Sequence, residues 1–252
     1  MKVCYGLSGA HLIDRTSAII FHGGGKDGAF KVKNFLENIS SETIFDNLNI
    51  AIRTQDDVNY FSEYFRFNEF IKGEKITIGP HDKWVVENGS PDFSKVFNPG
   101  TKTMTENFGF TSLTINTFDV PSLEFLRGAT TIESLTLNSG VGNIEALSTL
   151  TNLEYLSLNN CESDNLSSLE NLVSLSELSM KNNKALTEPF YKTGDTTPYY
   201  SMQILVDLNP NSTSITKKDG QLTKLYIDGC TGLRAEDKAK LSAVSWVEKS
   251  GF

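Results

Sequence analysis

The chain has 252 residues, with 23 Lys+Arg against 31 Asp+Glu, a formal net charge of −8 and 38% hydrophobic residues. That length allows a full core in one or two domains. An acidic chain with no basic stripe argues against nucleic acid, where Lys and Arg at phosphates supply the affinity, and against anionic membrane surfaces.

From the N-terminus, Ser17–Phe21 reads as a buried strand ended by Gly23, Gly24 and Gly25. The spacing over Phe30 to Ile39 predicts an amphipathic helix, and Asn49–Ile52 another strand. Asp56 and Asp57 are N-cap signals for a helix carrying Val58, Tyr60, Phe61, Tyr64 and Phe65. With Phe67 and Phe70 the aromatics of this stretch form a dense group, read as core of a cap or as an interface. Residues 1–72 are thus expected to be an α+β N-terminal cap region. Residues 73–109 are expected to hold an irregular early coil, with Ile76 and Ile78 at strand spacing, and then a long connection.

From residue 110 the sequence repeats. Phe110-Thr-Ser-Leu113-Thr-Ile115, Ile132-Glu-Ser-Leu135-Thr-Leu137, Leu153-Glu-Tyr-Leu156-Ser-Leu158, Leu175-Ser-Glu-Leu178-Ser-Met180 and Leu222-Thr-Lys-Leu225-Tyr-Ile227 share one pattern. Their fourth positions are spaced by 22, 21, 22 and 47 residues. A degenerate sixth copy, Gln203-Ile-Leu-Val206-Asp-Leu208, fits the long gap. Between copies, apolar residues recur by three (Leu123 and Leu126; Ile144, Leu147 and Leu150; Leu166, Leu169 and Leu172), the period of a 3₁₀ turn. Apolar–polar–apolar spacing inside each copy is that of a strand.

This pattern resembles the leucine-rich repeat family, and the phrase Leu147 to Asn160 looks like its short bacterial internalin class. The family's turn position, Asn or Cys three residues past the strand, holds Cys161, Asn183, Asn211 and Cys230; Phe118 and Gly140 depart from it. The resemblance implies an α/β fold: a leucine-rich-repeat solenoid over residues 110–233 with a parallel β-sheet on the concave face, capped at both ends. Leu233, Leu241, Val244 and Val247 at helical spacing predict a C-terminal capping helix over 234–252, with Asp237 on its polar side and Trp246 covering the last coil. An insertion near 188–202 enlarges one repeat.

Chemical motifs fail on inspection. His22-Gly23-Gly24-Gly25 is similar to an esterase oxyanion loop, but no G-x-S-x-G elbow follows. Gly25-Lys26 is followed by Asp27, where a phosphate loop needs Ser or Thr. The three histidines and three cysteines lack metal-ligand spacing, and the odd cysteine count suits no disulfide framework. No catalytic residue, metal or cofactor is expected, and no enzyme.

The outward columns of the sheet are expected to be plain: Ser, Thr and Asn, able to form ladders along the stack. Hot spots favour Tyr, Trp and Arg, so partner binding is assigned to the C-terminal end, at Tyr155, Glu177, Lys181, Lys224 and Tyr226, with Leu205 as an apolar addition. The insertion adds Phe190, Tyr191, Tyr199 and Tyr200. The expected function is a non-enzymatic protein–protein interaction or scaffold module whose protein partner is neutral or basic where it meets the sheet. Two alternatives are a structural subunit of a large assembly, such as a phage virion held by neighbouring subunits, and an internalin-like surface adhesin. The N-terminus has one basic residue and no uninterrupted apolar core, so no signal peptide is expected, and the location read is cytoplasmic, or a virion if phage-encoded.

Overall fold

A computed structural model describes residues 10–12, 19–22, 44–52, 72–80, 109–116, 120–138, 140–161, 166–183 and 201–252. The expected helices at 30–39 and beyond Asp57, the aromatic group from Tyr60 to Phe70 and most of the connection up to residue 109 lie outside them. The chain divides into two compact parts, residues 1–120 with 125–132, and 121–124 with 133–252.

In the first part the strands are β1 (Ala10–Leu12), β2 (Ile19–His22), β3 (Ile44–Ile52), β4 (Lys72–Pro80) and β5 (Gly109–Ile115), in that spatial order. β1 is antiparallel to β2 and the rest are parallel. Register sets Ile19, Leu48, Ile76 and Leu113 side by side, and Phe21, Ile50, Ile78 and Ile115 in a second row. The rows of the repeat therefore extend back to residue 19. The sequence reading puts an α+β cap over residues 1–72 and an irregular coil after it; parallel strand rows continue through β4, β3 and β2. Ile76, Leu113 and Ile115 are wholly buried. A short strand β6 (Val120–Ser122) follows.

The second part is built on β7 (Ser134–Leu137), β9 (Tyr155–Leu158), β10 (Glu177–Ser179), β11 (Lys224–Tyr226) and β12 (Glu248–Ser250), adjacent in that order and parallel; β8 (Val141–Asn143) lies outside this sheet. Leu135, Leu156, Leu178 and Leu225 stand in one register row, and each is fully buried. Burying one such side chain stabilises by roughly 1.5–3 kcal/mol, so each leucine of this row contributes to the cohesion between coils.

The return segments explain the spacing by three. Leu147 N–H donates to Ile144 O (3.0 Å), Leu150 to Leu147 (2.9 Å) and Leu153 to Leu150 (3.0 Å). Leu169, Leu172 and Leu175 repeat the chain of bonds from Leu166. Each leucine both closes a 3₁₀ turn and enters the core.

After each strand the chain must reverse. Asn160 and Asn182 adopt φ 59° and Gly229 φ 74°, the left-handed region that Asn and Gly tolerate best. Their place is equivalent in the three coils. Asn160 N–H donates to Lys181 O (2.9 Å), and Asn182 N–H to Asp228 O (2.7 Å). The next residue fills the turn: Cys161 donates Sγ–H to Val141 O (3.3 Å), Cys230 to Met180 O (2.9 Å), and Asn183 is fully buried.

Two expectations fail. The sixth copy is not a strand: Ser201–Asp207 forms helix α1, and β10 pairs directly with β11. Leu205 is fully buried in α1, so it adds nothing to the sheet face. The expected long helix over 234–252 is shorter: α2 spans Ala235–Ser242, and the chain then returns to the sheet as β12. Val247, placed on the helix's apolar side by its spacing, is 69% exposed. Asp237, placed on its polar side, is fully buried.

Candidate functional site

The register brings together one end of the sheet face. Tyr155, Glu177, Lys224 and Glu248 form one column across β9 to β12; Ser157, Ser179, Tyr226 and Ser250 form the next. Lys181 and Asp228 follow two residues beyond. In-register parallel strands lie about 4.8 Å apart, close enough for side chains of one column to pair.

The charges alternate and meet. Lys224 Nζ lies 3.4 Å from Glu177 Oε2 and 3.4 Å from Glu248 Oε1. Tyr226 O–H donates to Glu248 Oε2 at 2.7 Å. Lys181 Nζ lies 3.6 Å from Asp228 Oδ2 and 5.6 Å from the centre of the Tyr226 ring. Ser250 Oγ–H donates to Asp228 Oδ2.

The titrations follow from these bonds. The Tyr226 hydroxyl is pushed up to about 12, first by its hydrogen bond to Glu248, then by burial. Glu248 is lowered, first by the Tyr226 hydroxyl and then by Lys224. Lys224 is raised by Glu248 first and Glu177 next. Asp228 is lowered, chiefly by the Ser250 hydroxyl. These groups are solvent-facing, so screening keeps their individual contributions to stability small.

Toward β7 the face is uncharged. Asn159 Nδ2 donates to Ser157 Oγ (3.1 Å) and Asn138 Oδ1 (3.4 Å), while Asn159 Oδ1 accepts from Ser179 Oγ (3.1 Å) and Lys181 N–H (3.1 Å). This is the ladder the Ser and Asn columns imply. It closes over Ser157 and Ser179, which are buried rather than open to a partner.

Of the sequence-assigned residues, the structure brings Glu177, Lys181, Lys224 and Tyr226 into contact, with Tyr155 next in register to Glu177. Phe190, Tyr191, Tyr199 and Tyr200 lie outside the described residues. Sequence reasoning missed Glu248 and Ser250. The segment Trp246-Val247-Glu248-Lys249-Ser250 copies the strand motif, but Lys249 stands where the motif has leucine. Among the described residues no group of three or more His, Cys, Asp or Glu side chains is placed to hold a metal ion, and no helix is long and apolar enough to cross a membrane.

Parallel strands in leucine rows, returned by 3₁₀ turns, define a leucine-rich-repeat-like fold. A solved internalin from Listeria monocytogenes is similar to the chain, with a TM-score of 0.53 and 17% sequence identity. The similarity covers 88% of this chain and 50% of that one, so this chain spans about half the length of the internalin structure. No protein-family model matches the sequence, and no curated protein matches it.

Proposed function

We propose that the chain is a non-enzymatic protein–protein interaction module that engages a protein partner at Tyr155, Glu177, Lys181, Lys224 and Tyr226. Phe190, Tyr191, Tyr199 and Tyr200, in the connection between β10 and β11, add a second contact. The carrying observation is the concentration of aromatic and charged side chains at one end of an otherwise hydroxyl- and amide-lined face. Tyrosine gives a large, rigid contact area at low entropic cost, as hot spots require. Three carboxylates, Glu177, Asp228 and Glu248, share two ammonium groups, Lys181 and Lys224, so the partner's surface is neutral or basic.

The test is affinity capture from the native source with the full chain, run beside a Tyr155→Ala/Tyr226→Ala double variant. A protein retained by the wild type and lost by the variant, at unchanged circular dichroism, supports the reading. Equal retention by both moves the binding surface elsewhere.

A further inference from the structure

Following the inner row of the second part to its end reveals a change of chemistry. Leu135, Leu156, Leu178 and Leu225 are all fully buried, and the residue paired with Leu225 in the next strand is Lys249. The second inner row runs Leu137, Leu158, Met180, Ile227 and meets Gly251, at φ +94°, where a Cβ would strike the backbone of Ile227 and Asp228. The last coil thus places a cation where the others place leucine, and no side chain where they place a second apolar group.

Lys249 is exposed, with Nζ 5.1 Å from the centre of the Phe252 ring. Phe252 meets Trp246 edge to face, with centroids 6.2 Å apart and planes at 74°. Trp246 is fixed by its Nε1–H bond to Leu241 O (2.7 Å). Among the described residues β12 is an edge strand of the sheet. Ile227 N–H donates to Ser250 O (3.1 Å) and Glu248 N–H points to Thr223 O (3.5 Å), so residues 248 and 250 face β11. By the alternation of a parallel ladder, the N–H and C=O of Lys249 face outward.

An outward N–H and C=O pair is a template for another strand, and an inward-pointing charge on an edge strand is one of the devices that blocks it. Antiparallel pairing of two β12 edges through their outward residue sets Lys249 opposite its own copy, and like charges directly opposite destabilise. Stacking a further coil on this end would bury the ammonium against that coil's leucine, without a partner.

We infer that Lys249 guards the β12 edge: an inward-facing edge cation, steadied over Phe252, that bars a second copy of this chain from adding to β12. The role is independent of the partner surface, since Lys249 is on the opposite side of the strand from Glu248 and Ser250.

Light scattering after size-exclusion chromatography of the full chain tests this, with Lys249→Leu and Lys249→Arg beside the wild type across a wide concentration range. Wild type and Lys249→Arg keep the same mass, whereas Lys249→Leu, which completes the leucine row, shifts to at least twice it. An unchanged mass for a natively folded Lys249→Leu overturns the inference. Hydrogen exchange on the wild type needs no variant: the Lys249 amide exchanges near the unprotected rate, and protection beyond about a hundredfold would show the edge already covered and overturn it as well.

Discussion

The coil between β9 and β10 and the stretch between β10 and β11 solve one problem in two ways. Leu156 and Leu178 are 22 residues apart, Leu178 and Leu225 are 47 apart, yet each pair sits directly opposite in register. The short return is a ladder of 3₁₀ bonds between leucines. The described part of the long return is a helix and a loop tied by side chains: Asn209, fully buried, bonds Asn211 N–H and Ser245 O, and Ser212 and Ser214 accept from Ser214 and Thr216 N–H. Register therefore lives in the strand motif and its inward leucines, while the return is free in length. Loop closure explains the tolerance, because doubling a loop costs only about 0.6 kcal/mol.

The largest effect is expected at the row both returns share. Leu178→Ala removes a wholly buried side chain contacted from two sides and should cost about 3 kcal/mol, read as a lowered urea midpoint. A loss under about 1 kcal/mol would mean that the leucine row is not what sets register.

Next comes the start of helix α2, in the return after β11. Asp237 is fully buried and takes Arg234 N–H (3.1 Å), Nε (3.0 Å) and Nη2 (3.1 Å). Asp237→Ala should cost about 1.5–3 kcal/mol, the range of hydrogen bonds to a charged group. Burial pushes this carboxyl up, but the Arg234 bonds outweigh it and the net shift is down. A depressed carboxyl contributes stability above its unfolded value of about 3.9 and loses it as pH falls through the folded value. Urea midpoints should thus drop less in Asp237→Ala than in wild type between pH 7 and pH values below 4.

Smaller still is the turn. Gly229→Ala forces a left-handed alanine whose Cβ would run into the Asn182 side-chain oxygen, and should cost about 1–2 kcal/mol. Asn160→Gly, at the equivalent place in a regular coil, should shift stability by only a few tenths of a kcal/mol. Equal losses would show that the two turns do not share one geometry.

The smallest change in stability is expected at the charged face. Glu248→Gln should leave the urea midpoint nearly unmoved, yet return the Tyr226 hydroxyl from about 12 toward the ordinary tyrosine value. Carbon NMR of labelled tyrosines follows that one titration.

How much of this was legible depended on whether residues carried direction. Leu113, Leu135, Leu156, Leu178 and Leu225 were readable because alternation and a near-constant interval name both the strand and its inner face. The stretch 202–208 was not, because Met202, Ile204, Leu205, Val206 and Leu208 are all buried, and a run apolar on every side has no period to read. Ile204, Val206 and Leu208 then imitate a strand across α1 and the residue that follows it. Val244 and Val247 extended the helical spacing of Leu241 past the end of α2, and hid β12. Glu248 and Ser250 were lost to the site for that reason alone. The pairing of Lys224 with Glu177 was implied once both occupied one column; that Glu248 completes it depended on a strand whose leucine position holds lysine.

The two turn thiols carry a consequence for kinetics. Cys161 and Cys230 are buried and outside any disulfide, each bonded to a carbonyl of the coil before it, and burial raises the Cys230 thiol above its ordinary value. A thiol-specific reagent can reach either sulfur only when its own turn comes away from its neighbour. With Cys4 replaced by serine, the two cysteines become separate clocks, one in the regular coils and one beyond the long return. Their labelling rates would report whether the stack opens as a single body or peels coil by coil from its end.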